Sequence, residues 1–170
     1  MATEGLGPVA QGARTLGALS LLAVGTVHLQ QYFELYSAVP VIGTLFVLSF
    51  VGATVVSVGL LSPVERLPAP WGVRAVVALA ALGIGQAVTQ FVFLAISEQR
   101  PLFGFQEPGY DPTAILAVRA SEVATVVFLT AFLVALTVRR RAAADRTTAA
   151  PTPGDEEVGA EMNHDRTPAP

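Results

Sequence analysis

The sequence predicts an all-α integral membrane protein, a polytopic four-helix bundle with both termini in the cytoplasm and a disordered C-terminal tail. Three observations predict this fold. Of the 170 residues, 52% are apolar and only 14% are charged, and the mean hydropathy of +0.58 exceeds that of an ordinary soluble domain. Four stretches are long and apolar enough for a helix to cross about 30 Å of hydrocarbon, which takes about 20 residues. Arginines gather at alternate ends of these stretches, as they do where loops stay in the cytoplasm.

The first predicted span begins near Thr15 and ends in polar residues. It is purely apolar only to Val27, and it crosses the membrane only if the segment from His28 to Tyr36 is included. An arginine before a short apolar run also occurs in cleaved signal peptides, but the small residues expected before a cleavage site are not found here. We therefore expect this segment to remain in the protein as a helix over about 15–36.

The second and third spans are predicted over about 39–61 and 75–97. Neither contains a charged residue, so each can cross the membrane without burying a charge. Small residues four positions apart allow helices to approach closely. Each span carries such a pair, Ala53 with Ser57 and Ala81 with Gly85.

The fourth span is predicted over about 113–138. Its start is marked by Asp111, a good N-cap, and by Pro112, which is favoured at the first helical position. Arg119 and Glu122 lie in its first turns, and a clean apolar stretch follows. The helix is therefore expected to begin in the preceding loop and to enter the membrane as a continuous rod.

Short flanking segments orient the spans, because arginine accumulates on the cytoplasmic side of a bilayer. One side is basic, with Arg14, Arg66, Arg74 and Arg139 to Arg141. The other is acidic, with Glu34, Glu98, Glu107, Asp111 and only Arg100 as a basic residue. This asymmetry predicts a plasma (inner) membrane protein with a cytoplasmic N-terminus and a cytoplasmic tail. We expect a flexible N-terminus over 1–13 and a transmembrane domain over 14–141. The tail over 142–170 is predicted to be disordered, because it has almost no bulky apolar residue.

Two connections have recognisable patterns. The inner one begins Ser62-Pro63-Val64-Glu65, a capping-box pattern that could start one helical turn. The outer one, 97–113, is rich in proline and glycine but also contains Leu102, Phe103 and Phe105. We expect this outer loop to fold back over the end of the bundle.

The topology places several polar residues at one depth. Because an α-helix rises about 1.5 Å per residue, His28, Gln90 and Glu122 each fall roughly 10 to 12 Å below the outer end of their own helices. A charged residue within a span costs about 3 kcal/mol even on the lenient insertion scale, so it normally faces protein or water and marks function. The candidates for ligand binding or proton titration in this polar layer are His28, Gln31, Tyr32, Gln86, Gln90, Arg119 and Glu122.

Each candidate also has a structural interpretation. Arg119 and Glu122 are three residues apart and could form an ion pair along the helix surface. His28 could hydrogen-bond a glutamine and join two helices, and Gln86 and Gln90 are better explained as contacts between helices than as ligand contacts. Glu122, the deepest acid, is the candidate for a proton-titrating group.

The missing residue types exclude several chemistries. With no cysteine, the chain has no disulfide, no thiol relay and no site for covalent haem attachment. A haem held by two histidines of one chain is also excluded, because His164 lies in the predicted tail. His28 with Glu122 is an incomplete metal site, since catalytic zinc usually has three protein ligands. We predict no metal and no catalytic residue, and the cofactor is unknown. We also predict no nucleic-acid partner, because the basic triplet 139–141 is explained as a topology anchor.

Parts of the sequence resemble known membrane proteins. His28-Leu-Gln-Gln-Tyr-Phe33, Pro40-Val-Ile-Gly43 and Leu102-Phe-Gly-Phe105 resemble segments of uncharacterised four-helix integral membrane proteins of high-GC Gram-positive bacteria. The resemblance covers about 14–141 and implies fold and location but no activity. The opening Arg14-Thr-Leu-Gly17 and a histidine late in the first helix are similar, over a shorter stretch, to DoxX-like four-helix proteins.

These residues favour a non-enzymatic membrane protein, either an accessory subunit or a small-ligand binder, in which His28 and Glu122 hold a group from the outer side. Its partners would be the lipid bilayer and either another membrane protein or a second copy of the chain. The alternative is a proton-coupled transporter or carrier in which Glu122 titrates and Arg119 tunes it. A membrane redox or quinone-handling protein is the third hypothesis.

Overall fold

The computed structural model describes residues 7–68 and 70–148. Within them the chain forms four long helices and no strand: α1 (Pro8–Gln31), α2 (Pro40–Leu61), α3 (Trp71–Gln99) and α4 (Pro112–Thr148). A π-helical turn, Tyr32–Tyr36, extends α1, and a 3₁₀ turn, Val64–Arg66, lies between α2 and α3. The chain divides into two compact units, one ending at Leu136 and one starting at Thr137.

All four helices are long and apolar enough to cross a membrane, over Pro8–Tyr36, Pro40–Leu61, Trp71–Gln99 and Pro112–Arg146. Large apolar side chains lie exposed on their outward faces, and Leu48, Val55, Leu82 and Leu116 are each at least 60% exposed. An exposed apolar surface of this extent is typical of a protein that contacts lipid. The prediction of an all-α chain with four such helices is confirmed.

The first helix begins earlier than the sequence predicts. It starts at Pro8, with Gly7 as its N-cap residue, and proline is favoured at this position. Ala10 is only 2% exposed and belongs to the hydrophobic core, so packing holds these first turns in place. The segment 8–13 therefore belongs to α1, and residues 1–6 lie outside the described part of the chain.

The fourth helix starts where the sequence predicts and ends later. Its N-cap is confirmed, because the backbone N–H of Ala114 donates to Oδ1 of Asp111 at 3.0 Å. At the other end the helix continues to Thr148, since alanine and arginine are strong helix formers. The predicted disordered tail is therefore helical over 142–148, and its remainder, 149–170, lies outside the described residues.

Glycines allow the helices of the first unit to approach closely. A Cβ added at Gly25 of α1 would lie 2.8 Å from the Cβ of Ala53 on α2. One added at Gly17 would lie 2.5 Å from Cδ2 of Leu129 on α4, and the same leucine fills the space beside Gly83 of α3. Leu129 is fully buried. Side chains from α1, α2, α3 and α4 therefore meet in one core.

The two predicted pairs of small residues have different surroundings. Ala53 and Ser57 of α2 are fully buried, and Oγ of Ser57 donates a hydrogen bond to the backbone oxygen of Ala18 on α1 at 2.9 Å. Ala81 and Gly85 of α3 are exposed, and a Cβ at Gly85 would meet nothing within 4 Å. The first pair therefore joins two helices, whereas the second faces outward.

Arg14 is buried, although the sequence places it among exposed flanking arginines. It is 1% exposed. Its guanidinium donates to the backbone oxygens of Leu60 and Ser62 at the end of α2 and to the carboxylate of Glu65 at 2.9 Å. The last carbonyls of a helix have no partner within the helix, so Arg14 joins α1 to the C-terminus of α2. The predicted helical turn after Ser62 is confirmed, but its glutamate pairs with Arg14 and completes no capping box.

Candidate functional site

A partly open cavity of about 130 Å³ lies in the first unit, and we call it the polar cavity. Its lining is mostly apolar and comes from all four helices and from the α3–α4 loop (100–111). The polar side chains in that lining are His28, Gln31, Tyr36, Ser49, Gln90, Ser97, Glu107, Asp111 and Glu122. An apolar pocket with a few convergent polar groups is the usual form of a small-molecule site.

Glu122 enters the polar cavity from α4. It is 1% exposed, and its Oε2 accepts no hydrogen bond. Val118 and Thr125, about one turn away on either side, are also buried, because this face of α4 packs toward the other helices. A buried carboxylate oxygen without a donor is costly. A bound molecule that donated a hydrogen bond to it would therefore bind favourably.

Two glutamines of α3 hydrogen-bond to the same serine of α2. Nε2 of Gln86 donates to the backbone oxygen of Ser49 at 2.8 Å, and Nε2 of Gln90 donates to its Oγ at 2.7 Å. Both glutamines therefore make contacts between α3 and α2. Only Gln90 also lines the polar cavity, and its buried Oε1 has no hydrogen-bond partner. Gln90 is thus a second unpartnered acceptor at the site.

The ring of His28 is fixed by its own helix. Its Nδ1 lies 2.9 Å from the backbone oxygen of Val24. Because a carbonyl oxygen only accepts, Nδ1 carries the proton, and Nε2 of the neutral ring is an acceptor. The ring also packs edge-on against Phe46 of α2, with 5.0 Å between centroids. The backbone of α1, and not a glutamine, therefore orients this histidine.

Gln31 connects the end of α1 to the start of α4. Its Nε2 donates to Oδ2 of Asp111 at 2.9 Å, while Oδ1 accepts from the backbone of Ala114. The Ala114 N–H, assisted by Gln31, stabilises the charged carboxylate and lowers the pKa of Asp111 below its ordinary value. This aspartate is therefore ionised at neutral pH at the edge of the cavity.

Glu107 holds the α3–α4 loop in place. Its Oε1 accepts from the backbone N–H groups of Gly109 and Tyr110 at 2.9 and 3.2 Å, and its Oε2 accepts from the hydroxyl of Tyr36. The ring of Tyr36 also contacts Phe105 of the loop, with 5.4 Å between centroids. The prediction that this loop folds back over the helices is confirmed.

The sequence does not place Tyr36 and Glu107 at the site. It puts the tyrosine at the end of the first span and the glutamate on an acidic flank, whereas the two side chains are only 6% and 8% exposed. The two residues are far apart in the chain, so no local spacing indicates their contact. The available signal is the aromatic content of the loop, which indicates burial but not a partner.

The polar cavity contains four of the seven predicted site residues, His28, Gln31, Gln90 and Glu122. The other three, Tyr32, Gln86 and Arg119, do not line it. Tyr32 lies against α2 instead, where a Cβ at Gly43 would be 3.3 Å from its ring. Gln86 hydrogen-bonds to the backbone oxygen of Ser49, which does line the cavity.

Arg119 pairs with Glu98 of α3 and not with Glu122. Its Nη2 lies 2.5 Å from Oε2 of Glu98, and its guanidinium lies 5.8 Å above the ring of Phe91. The predicted ion pair within α4 is therefore wrong. Arg119 and Glu98 are each about one-third exposed, so both charges keep part of their solvation in this pair. A pair with Glu122 would lack that solvation on the glutamate side, because Glu122 is fully buried.

The cavity offers acceptors more readily than metal ligands. Within residues 7–68 and 70–148, no three His, Cys, Asp or Glu side chains are arranged to hold a metal ion. His28 and Glu122 line the same cavity, but two ligands make an incomplete zinc site. The arrangement is suited to accepting hydrogen bonds from a molecule that is otherwise apolar.

No known protein family, curated protein or solved structure matches the chain. The ligand class is therefore inferred below from the residues of the cavity itself.

Proposed function

We propose that this chain is a non-enzymatic integral membrane protein that binds a small, mostly apolar molecule in the polar cavity through hydrogen bonds donated by that molecule. One observation carries the proposal. Glu122 is 1% exposed, lines a mostly apolar cavity and has a carboxylate oxygen without a hydrogen-bond partner. Gln90 Oε1 supports it, because it is a second buried acceptor from a different helix.

The proposed setting is the plasma membrane, with the four helices in an up-and-down bundle and both termini in the cytoplasm. Arg66, on the connection between α2 and α3, and Arg74, in the first turn of α3, are exposed, which favours the cytoplasm for that side. The polar cavity then lies in the outer half of the bundle, beneath the α3–α4 loop. A ligand would reach it from the outer aqueous phase or from the outer leaflet.

Binding fits the cavity better than catalysis. The polar groups with free capacity are acceptors, whereas the carboxylates of Glu107 and Asp111 and the ring of His28 are each fixed by neighbouring groups. A binding protein needs such fixed groups, because they orient a ligand without rearrangement. The protein would serve as a small-molecule binder or as an accessory subunit that presents a ligand to a partner in the membrane.

The test is purification of the full chain in mild detergent, followed by solvent extraction, mass spectrometry and absorption spectroscopy. The expected result is a small molecule enriched with the wild type and reduced in Glu122→Gln. Glu34→Gln is the matched control, because Glu34 is an exposed acid that does not line the cavity. Equal recovery from the wild type and Glu122→Gln would contradict the proposal, and a quinone or a visible absorption band would favour the redox hypothesis.

A proton-coupled carrier is the second candidate function. Two observations favour it. Glu122 is a buried acid in a partly open cavity, and Arg119, about one turn away on the same helix, pairs with Glu98. In this case Glu122 would exchange a proton for the ligand during transport. Proteoliposomes would then show solute-driven proton flux that Glu122→Gln abolishes and Glu34→Gln retains, and flux unaffected by Glu122→Gln would eliminate the carrier.

A further inference from the structure

The polar cavity has hydrogen-bond acceptors on three helices. Oε2 of Glu122 on α4 and Oε1 of Gln90 on α3 are buried without partners. Nε2 of His28 on α1 is also an acceptor, because Nδ1 donates to Val24. A ligand that satisfies this set must supply donors, and it satisfies the set best if it supplies more than one.

The same cavity is acidic. Three carboxylates line it, from Glu107, Asp111 and Glu122, and none of its described lining residues is an arginine. The first two carboxylates are engaged by backbone and side-chain donors. The carboxylate of Glu122 keeps an unpartnered oxygen. Negative groups in a cleft with apolar walls raise the local concentration of cations.

Arg119 is the nearest alternative source of positive charge for Glu122. It lies three residues earlier on α4, and its Nε is buried without a hydrogen-bond partner. Its Nη2, however, donates to Glu98, and its guanidinium lies over Phe91 on the outward side of α3. The guanidinium is therefore engaged by Glu98 and Phe91, and Arg119 does not line the cavity.

Resting on the proposed function, we infer that the ligand class of this site is an organic amine bound as its ammonium ion, with an aromatic or alkyl body. An ammonium group offers up to three N–H donors, which matches acceptors on three helices. It also forms a charge-assisted hydrogen bond with the carboxylate of Glu122, which a neutral donor does not. The body would pack on the aromatic part of the lining, where the ring of Tyr36 lies between those of Phe46 and Phe105, with 4.8 and 5.4 Å between centroids. The same rings would favour the ammonium group, because aromatic faces attract cations.

The experiment compares three probes of similar shape, 2-phenylethylamine, 2-phenylethanol and the N-trimethylated amine. Binding to the full chain in mild detergent is measured by calorimetry at neutral pH for the wild type, Glu122→Gln and Glu34→Gln. We expect the amine to bind the wild type about tenfold tighter than the alcohol, as charge-assisted hydrogen bonds exceed neutral ones. The trimethylated probe, which has the charge but no N–H, should bind more weakly than the amine.

The variants separate the ligand class from the proposed function. Glu122→Gln should reduce the preference for the amine to about twofold or less, and Glu34→Gln should leave it unchanged. Gln90→Met, which keeps the side-chain length and removes Oε1, should weaken amine binding even if Glu122→Gln folds poorly. Equal binding of amine and alcohol would overturn the ammonium class and leave the proposed binder intact. It would mean that Arg119 already neutralises Glu122, so that a charged donor has no advantage. Binding of none of the probes, together with no co-purified molecule, would overturn both.

Discussion

Arg14 and Glu122 are both 1% exposed, but their surroundings differ. Arg14 donates to two backbone carbonyls and to a carboxylate, whereas Oε2 of Glu122 has no donor. A buried polar group with its partners in place supports the fold, and one without a partner lowers stability unless a ligand compensates it. We therefore assign a structural role to Arg14 and a binding role to Glu122.

The structural role of Arg14 predicts an asymmetric response to mutation. Arg14→Gln should lower the free energy of unfolding by about 3 kcal/mol or more, because it leaves carbonyls and a carboxylate without their buried donor. Glu65→Gln should cost less than about 1 kcal/mol, because the Glu65 side chain is 38% exposed and water screens the pair. Unfolding of both variants in detergent measures the difference, and similar losses would show that the ion pair and not the carbonyl contacts dominates.

The lowered pKa of Asp111 predicts a pH response at the start of α4. Its stabilising hydrogen bonds are fully present above the unfolded-state pKa, near 4, and are lost as the pH falls through the lower folded-state pKa. The amide shift of Ala114, followed by NMR, should therefore titrate with a midpoint below about 4, and Asp111→Asn should remove the titration. A midpoint above this value would mean that the cap does not stabilise the charged form.

Single residues were predictable from the sequence where depth alone decides their position. The helical rise and the orientation place His28, Gln90 and Glu122 in one layer, and all three line the polar cavity. The partner of Arg119 was not predictable. Helical spacing favours Glu122, whereas contact with Glu98 depends on how α3 and α4 pack. Periodicity carries no information about that packing.

At the level of helices, α1 packs closely against both α2 and α4. Gly25 allows α2 to approach it, and Gly17 provides space for Leu129 of α4. Helices in lipid associate through close packing because lipid tails provide no hydrophobic driving force between them. Substitution of a contact glycine should therefore be more damaging than substitution of a glycine that faces outward.

Gly25→Ala should destabilise the protein by about 1 to 3 kcal/mol, the usual cost of overpacking. The added Cβ would lie 2.8 Å from the Cβ of Ala53 and 3.4 Å from Cα of Phe50, and neither atom can move without moving α2. Gly85→Ala is the matched control, because a Cβ there meets nothing within 4 Å. Thermal unfolding in detergent should separate the two variants, and equal stability would contradict the α1–α2 contact.

The helices themselves were largely predictable, and their ends were less so. Apolar length defines α2 to within one residue, whereas α3 begins four residues before and ends two residues after the predicted 75–97. The Asp111-Pro112 pair defines the start of α4. The extra turns of α1 depend on burial of Ala10, which is a tertiary contact. The π-helical turn Tyr32–Tyr36 brings Tyr36 toward Glu107, and no pattern in the sequence indicates it.

At the level of the whole molecule, membrane orientation follows from the distribution of arginines. Burial of Arg14 removes one of the predicted exposed charges, but Arg66 before α3 and Arg74 in its first turn remain exposed. A chain without cysteine can be tested directly with single cysteine variants. Ser37→Cys should react with a membrane-impermeant maleimide on intact cells, and Arg66→Cys should react only after permeabilisation. The reverse pattern would invert the topology and place the polar cavity toward the cytoplasm.

The central claim is that Glu122 holds a small molecule inside the polar cavity. The most direct measurement is native mass spectrometry of the full chain released from mild detergent, with Glu122→Gln and Glu34→Gln prepared in the same way. We predict a wild-type peak with one added small-molecule mass, the same adduct in Glu34→Gln, and its loss or strong depletion in Glu122→Gln. An adduct of equal occupancy in all three proteins, or none in the wild type, would contradict the claim.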